Sequence, residues 1–426
     1  MPSSKGIVEY LYGLERHGIK PGLERITALL RALGGPQDSF KSVHVAGTNG
    51  KGSVSSMTAS VLNEAGYRTG LYTSPHLSKF NERISVSGKN ISDKELVEAA
   101  SEVKAALKRS RISGVTFFEF TTAMAFLHFR KKKVEFAVVE TGMGGRLDAT
   151  NLVTPLVSVI TNIALDHTEW LGPTLKDVAT EKAGIIKPGV PVVTGESARA
   201  PLSIIRAAAK KASSKLLVME KDFHAEGPPS TFSYSGFSGG LEKLKLKLLG
   251  SHQVRNAALA LAAIELLRSN GITIRESAIK KGLAKAAWPG RFEILSKRPL
   301  VVLDGAHNPS GAAALKEALS SLKKKRLILV IGMMSDKDMA GILKELVPIC
   351  DLVIATRPKG ERSAELASIG RAASRYGKPV TGIDSIADAC EKALYLASQA
   401  DCVCVSGSLF TVAEAREYLL KALSGR

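Results

Sequence analysis

Residues 42–66 read SVHVAGTNGKGSVSSMTASVLNEAG: an apolar, β-branched run, a turn with three glycines, then a stretch of helical spacing. A strand that ends in such a turn and opens a helix presents free backbone N–H groups to an anion, and the helix dipole favours negative charge there. The turn GTNGKGS (47–53) departs from the common phosphate-loop pattern G-x-x-x-x-G-K-[ST]. If Gly50 and Lys51 are its G-K, Val45 stands where the first glycine belongs, Gly52 replaces the hydroxyl residue, and Ser53 comes one place late. Two readings follow. In one, the glycines let the backbone close on phosphate oxygens, Lys51 reaches the terminal phosphates and Ser53 meets Mg2+ or phosphate. In the other, this is a tight turn with a surface lysine. The strand–loop–helix context favours the first.

Outward from this stretch the same rhythm repeats. Strand-like runs at 42–47, 69–74, 135–141, 156–163 and 190–195 alternate with helical patterns at 53–65, 93–108, 119–131 and 174–186. That alternation predicts an α/β fold with a largely parallel sheet and helices on both faces. Around 215–250 the pattern changes: KLLVME, TFSYSG and LEKLKLKLLG suggest a few antiparallel strands appended to the sheet, followed by helices at 251–269 and 275–286. WPGRF (288–292) marks a break, after which PLVVLDG, RLILVIGMM, DLVIATR and DCVCVSG alternate with helical stretches as a smaller, Rossmann-like doubly wound unit. The expected domains are therefore 1–295, a P-loop-type unit that carries the phosphate turn, and 296–426, the smaller Rossmann-like unit.

Length and composition agree. The 426 residues exceed what one core usually organises, and 45% are hydrophobic, enough for two cores. No apolar run reaches the roughly 18–20 residues of a membrane span, and the N-terminus lacks the apolar core of a secretory signal, so a soluble cytoplasmic protein is expected. Cys350, Cys390, Cys402 and Cys404 form no C-x-x-C pair and have no nearby histidine, which predicts reduced, buried thiols rather than a zinc site. The net charge of +19 invites a nucleic-acid reading. Against it, the basic residues are scattered, the runs at 130–133 and 323–326 each precede a strand-like stretch, and no aromatic residues interleave with them to stack on bases. Small polyanionic substrates suit the field better.

Further strand ends carry chemistry-bearing residues. Glu140 closes the apolar run of VVETGMGGRLDATN, where an acid is costly without a metal or a proton to serve. Asp166 and His167 lie just past the strand in SVITNIALDHTEWLG. A lone histidine is more often structural, but the coincidence of strand ends marks it as a candidate. Lys182 in TEKAGIIKPG sits on an amphipathic helix, where a solvated lysine is the plainer reading. Asn256, Arg291 and Asp304 fall in GSHQVRNAA, PGRFE and LDGAHNPSG, as an amide, a cation and an acid suited to a base edge, phosphates and a ribose, and His307 shares the strand-to-helix turn of Asp304.

In order along the chain, GIKPGLERI, HVAGTNGKGS, LYTSPHL, FNERI, FFEFTT, VVETGMGGRLDATN, ALDHTEWLG, EKAGIIKPG, GSHQVRNAA, WPGRFE, LDGAHNPSG and VSGSL resemble the folylpolyglutamate synthase/dihydrofolate synthase family, a branch of the Mur ligase superfamily. The resemblance implies ATP-dependent amide formation. A carboxylate of the pterin substrate is phosphorylated, and the amine of L-glutamate attacks the acyl phosphate. It also implies ATP, two Mg2+ ions and K+ as cofactors, folate or dihydropteroate and L-glutamate as substrates, and a monomer without nucleic-acid or membrane partners. By the same resemblance Thr48, Asn49, Gly50, Lys51, Gly52 and Ser53 cradle the ATP phosphates, with Asn256, Arg291 and Asp304 as further nucleotide contacts. Ser74, Glu140 and His167 match metal ligands, Lys182 a carbamoylated lysine, and His307 a histidine near the reacting groups. Phe118, Glu119, Leu147, Asp148 and Ala149 match pterin-binding segments, and Ser408 a contact to the incoming glutamate.

One position departs from the family pattern. Bifunctional members of the enterobacterial type carry an acid in the segment that here reads IKPGLER, with Lys20 at its place. The pterin contacts of residues 18–21 therefore do not carry over, and a more anionic folate and mere surface variation both remain open. The rival functions are a Mur-type muropeptide ligase, disfavoured by TSPHL and FNERI, a cyanophycin-type ligase, disfavoured by the missing N-terminal domain, and a basic nucleic-acid-dependent NTPase.

Overall fold

The computed structural model describes residues 4–14, 18, 20–360 and 362–424, and these form two compact units. The first comprises residues 1–247 and 253–287, the second residues 248–252 and 288–426. The expected boundary near residue 295 falls inside a strand of the second unit, Glu293–Lys297.

The first unit is built on an eight-stranded sheet. Its strands are β1 Lys41–Ala46, β2 Thr69–Tyr72, β3 Ile84–Val86, β4 Lys89–Asn90, β5 Phe136–Glu140, β6 Val157–Ile160, β7 Val192–Thr194 and β8 Leu216–Val218. Their order is β4-β3-β2-β5-β1-β6-β7-β8; from β2 across to β8 every neighbouring pair is parallel, while β3 pairs antiparallel with both β2 and β4 and so runs against the other strands. Central strands such as VHVA and FAVVE are buried along their length, which is why they read as continuous apolar runs rather than as alternation. One core joins Tyr72, Val139 and the helices Ser4–Leu14, Glu24–Ala32, Asp93–Arg109 and Phe117–Lys131. Another joins Ala46, Ile160, Val178, Val192 and Ile205. Helix Phe117–Lys131 is apolar almost all round and buried from Glu119 to Phe129, and a Thr116/Glu119 capping box sets its start.

The strands near 215–250 differ from the expectation. β8, from KLLVME, pairs parallel with β7 and closes the edge of the main sheet. β9 His224–Glu226, β10 Phe232–Gly236 and β11 Gly239–Leu244 form a separate antiparallel sheet rather than an extension. Glu265 on helix Ser251–Ser269 anchors that sheet, accepting hydrogen bonds from Tyr234 Oη at 2.7 Å and Ser238 Oγ at 2.7 Å.

The second unit carries β12 Glu293–Lys297, β13 Leu300–Leu303, β14 Leu327–Ile331, β15 Leu352–Ala355, β16 Val380–Gly382 and β17 Cys402–Ser406. Their order is β12-β13-β17-β14-β15-β16, parallel except for the edge strand β12. The chain is thus an α/β protein with two mostly parallel sheets. Cys350, Cys402 and Cys404 are buried in the core of the second unit as small apolar side chains. The basic runs serve helix ends and neighbouring acids: Lys131 and Lys132 pair with Glu102 and Glu95, Lys324 donates to Leu319 O, and Arg326 pairs with Asp401 at 2.7 Å. Among the described residues no helix is long and apolar enough to cross a membrane.

Candidate active site

Four neighbouring strands of the first unit, β2, β5, β1 and β6, bring their carboxyl ends to one edge of the sheet. The turn 47–53 leaves β1 there, and Gly50, in the left-handed region at φ 82°, caps helix Lys51–Glu64. Gly47 has no room for a side chain, because a Cβ would stand 1.7 Å from Thr161 Oγ1. The turn is laced to the loop after β6. Thr48 N donates to Asn162 O and Asn49 N to Asn162 Oδ1, both at 2.9 Å, while Thr161 Oγ1 donates to Asn49 O at 2.6 Å and Thr48 Oγ1 to Ala164 O at 3.0 Å. Glu196 holds that loop in turn, accepting from Ile163 N at 2.7 Å. Thr48 and Ser53 are buried, Asn49, Lys51 and Gly52 half-buried.

Two lysine side chains meet at this turn. Lys51 Nζ donates to Gly47 O at 3.0 Å and to Thr48 O at 3.1 Å, and Lys182 Nζ donates to the same Gly47 O at 2.9 Å. Lys182 is buried rather than solvated. Burial, and then the charge of Lys51, push its pKa down to about 7 against the opposing charges of Asp166 and Asp148. Asn256 also abuts the turn: a Cβ on Gly50 would stand 2.4 Å from Asn256 Oδ1.

Glu140, buried at the end of β5, accepts from Ser74 N beyond β2 at 3.2 Å, so these two predicted ligands lie together. His167 begins the short helix Thr168–Leu171 in a left-handed conformation, with its side chain 42% exposed and its backbone N–H on Asp166 Oδ1 at 3.0 Å. Among the described residues, no three His, Cys, Asp or Glu side chains gather to hold a metal ion by themselves.

The predicted pterin segments also converge. A Cβ on Gly142 would meet the Phe118 ring at 2.5 Å, and Phe118 stacks on Tyr72 with ring centroids 6.0 Å apart. Asp148 Oδ2 accepts from Gly142 N and Met143 N at 2.9 Å each, Leu147 is half-buried beside it, and Ala149 belongs to the core. Glu119 is committed to its capping box and to Arg25, whose Nε donates at 3.2 Å. Arg25 Nη2 also donates to Lys20 O at 2.6 Å, and Lys20 itself is exposed. Ile19, in the segment 18–21, lies outside the described residues.

In the second unit Arg291, Asp304, His307 and Ser408 cluster at the carboxyl ends of β13 and β17. Asp304 accepts from Phe292 N at 2.8 Å and Ala306 N at 2.9 Å, and Arg291 Nη1 donates to Gly305 O at 3.1 Å. His307 Nδ1 donates to the same carbonyl at 2.9 Å, which fixes the proton on that nitrogen. Ser408 is buried and caps helix Leu409–Ser424: its Oγ accepts from Thr411 N at 3.0 Å and bonds Thr411 Oγ1 at 2.8 Å. Thr161, Asn162, Glu196 and Arg25 escaped the sequence reading. Polar residues straight after an apolar run, as in VITN, were the available signal for the first two.

Comparison with known proteins places the chain beside a family of ligases. The Mur ligase middle domain matches residues 45–264, and the Mur ligase glutamate ligase domain matches residues 290–409. The dihydrofolate synthase/folylpolyglutamate synthase of Bacillus subtilis is 40% identical over 355 residues, covering 81% of this chain and 83% of that protein. The chain belongs to the dihydrofolate synthase/folylpolyglutamate synthase family of Mur ligases. Among solved members of this family, E. coli FolC in complex with DHPP and ADP superposes with a TM-score of 0.91 at 36% identity, covering 100% of both chains. A bifunctional folylpolyglutamate synthase/dihydrofolate synthase with Mn, AMPPNP and L-glutamate bound gives 0.88 at 33% identity and 99% coverage of both.

Proposed function

We propose that the chain is an ATP-dependent ligase that joins L-glutamate to a folate, to 7,8-dihydropteroate, or to both. The observation that carries this reading is the pair of lysine side chains, Lys51 and Lys182, that donate to Gly47 O at a phosphate-type turn, with the half-buried Glu140–Ser74 contact at the end of the neighbouring strand β5. A carboxylate is a poor electrophile until it bears a good leaving group. Its oxygen attacks the γ-phosphoryl group of ATP, ADP leaves, the amine of glutamate attacks the acyl carbon, and phosphate departs with the amine's proton lost to a base.

Residues 48–53 hold the phosphates, with Lys51 swinging from its own loop carbonyls to the terminal phosphate as charge develops. Glu140 and Ser74 offer oxygen donors that fit a hard divalent cation such as Mg2+. A bound cation would draw its remaining ligands from phosphate oxygens and water, and His167, with its side chain exposed, would have to turn inward to join them. K+ and a second Mg2+ belong to the same reading. Lys182, whose pKa is pushed down to about 7 so that roughly half of its amine is uncharged at neutral pH, is suited to react with CO2, and the resulting carbamate would replace a repelling cation with an anion able to help hold a divalent cation. Asn256, Arg291 and Asp304 serve the nucleotide, His307 serves the reacting groups, and Ser408 the incoming glutamate. Phe118, Glu119, Leu147, Asp148 and Ala149 frame the pterin, with Glu119 acting through Arg25 and the 20–25 segment.

Labelled glutamate offered in parallel with 7,8-dihydropteroate and with tetrahydrofolate tests the proposal and separates its branches. Incorporation into neither, with ATP and Mg2+ present, rejects it. Lys51→Ala is expected to abolish incorporation while leaving the circular dichroism spectrum unchanged.

A further inference from the structure

His44 lies on β1 three residues before the phosphate turn, fully buried, and no role is assigned to it above. Its Nε2 stands 2.9 Å from Thr150 Oγ1, and Thr150 is also fully buried. The Thr150 hydroxyl donates to Asp148 Oδ1, which also accepts from Thr150 N at 3.0 Å, while Gly142 N and Met143 N serve Oδ2. Three backbone N–H groups can only donate, and together with the hydroxyl they address both oxygens, so the carboxyl is held as its anion. Burial pushes the Asp148 pKa up and these hydrogen bonds oppose it. The single hydroxyl proton of Thr150 is spent on Asp148, so the contact with His44 runs the other way: Nε2–H donates and the hydroxyl oxygen accepts. That leaves Nδ1 as the bare nitrogen, and among the described residues it has no hydrogen-bond partner. Burial, and then the charge of Lys187, keep the imidazole neutral, with a pKa pushed down to about 3.

We infer that His44 is a positioning residue that, through Thr150, locks the Asp148 carboxylate and the 142–148 turn to the strand that carries the phosphate loop. The relay sets the pterin-side turn at a fixed register to the phosphate-side turn, as in-line attack by a bound carboxylate on a bound nucleotide requires. This rests on the proposed pterin role of Asp148.

The test uses the full chain with Thr150→Val, Thr150→Ser, His44→Leu, His44→Gln and Asp148→Asn, assayed on whichever pterin substrate is turned over. Thr150→Val and His44→Leu are expected to raise the KM for the pterin substrate about tenfold while the KM for ATP stays within about twofold, the scale of one lost buried hydrogen bond. Thr150→Ser and His44→Gln, which keep a hydroxyl and an N–H at the needed places, should stay near wild type. An unchanged pterin KM in Thr150→Val, when Asp148→Asn raises it, overturns the relay and leaves the site reading standing. An unchanged KM in Asp148→Asn removes the site reading, and the inference with it. Independently of activity, 15N-histidine NMR of the wild-type protein, with His44 assigned by its loss in His44→Gln, should show Nε2 protonated and Nδ1 bare. A proton on Nδ1 overturns the inference.

Discussion

Lys182 shows how far burial changes a residue that composition alone would leave in solvent. Its helix, Leu175–Ala183, carries a Thr174/Asp177 capping box and polar residues that suggested a solvated face, and nothing local marks position 182 as interior. Packing against the phosphate turn buries it and lowers its pKa from 10.5 to about 7. Between those values the unfolded chain binds a proton that the folded one does not, so stability rises with pH across that window. Urea midpoints measured in CO2-free buffer should therefore climb more between pH 7 and pH 9.5 in wild type than in Lys182→Met; equal slopes would show that the amine is not depressed. Cys350, Cys390 and Cys402 illustrate the opposite case. Burial pushes their thiols up to about 12, and their packing as inert apolar groups was legible from the absence of ligand spacing.

At the scale of elements, the central strands and the capped helices were readable because each carries its own signal: unbroken apolar runs, and Ser92/Glu95, Thr116/Glu119 and Thr174/Asp177 boxes. β12 and β16 were not read, since they are short edge strands with partly exposed residues and little apolar contrast. Nor did the stretch at 215–250 reveal which sheet each strand would join, because pairing partners are chosen by tertiary contact. Gly282 on helix Glu276–Lys285 is another such feature. A Cβ there would stand 2.5 Å from Val61 Cα on helix Lys51–Glu64, and Ser60 Oγ donates to Gly282 O at 2.7 Å. The obstacle is backbone, which cannot turn aside. Gly282→Ala is expected to destabilise the protein by about 1–3 kcal/mol, the usual cost of overpacking, visible as a lower Tm in calorimetry. An unchanged Tm would mean that the two helices part without cost. Because the second of them begins at the phosphate turn, the variant should weaken ATP binding as well.

For the whole molecule, the excess of positive charge is the feature most easily misread. Fifty-nine basic against 40 acidic residues give +19, yet the two basic runs are engaged with helix ends and acids rather than arrayed as a stacking platform. ATP hydrolysis should rise with folate plus glutamate and stay unchanged with duplex DNA or RNA even at low salt, where a nucleic-acid-dependent enzyme would respond most strongly. Stimulation by nucleic acid would restore the rival reading. The sequence by itself determined the alternation of strands and helices, the placing of Glu140 at a strand end and of Lys51 in the turn-to-helix step after one, and the family, because these depend on local periodicity and on the order of motifs along one chain. Only the tertiary structure decided that β8 extends the parallel sheet and that Lys51 and Lys182 share one carbonyl. It alone set Thr161 and Asn162 to brace the phosphate turn, and His44 to reach Asp148 through Thr150. Those are meetings of residues up to 135 positions apart, and no local pattern encodes a contact that exists only after the chain has packed.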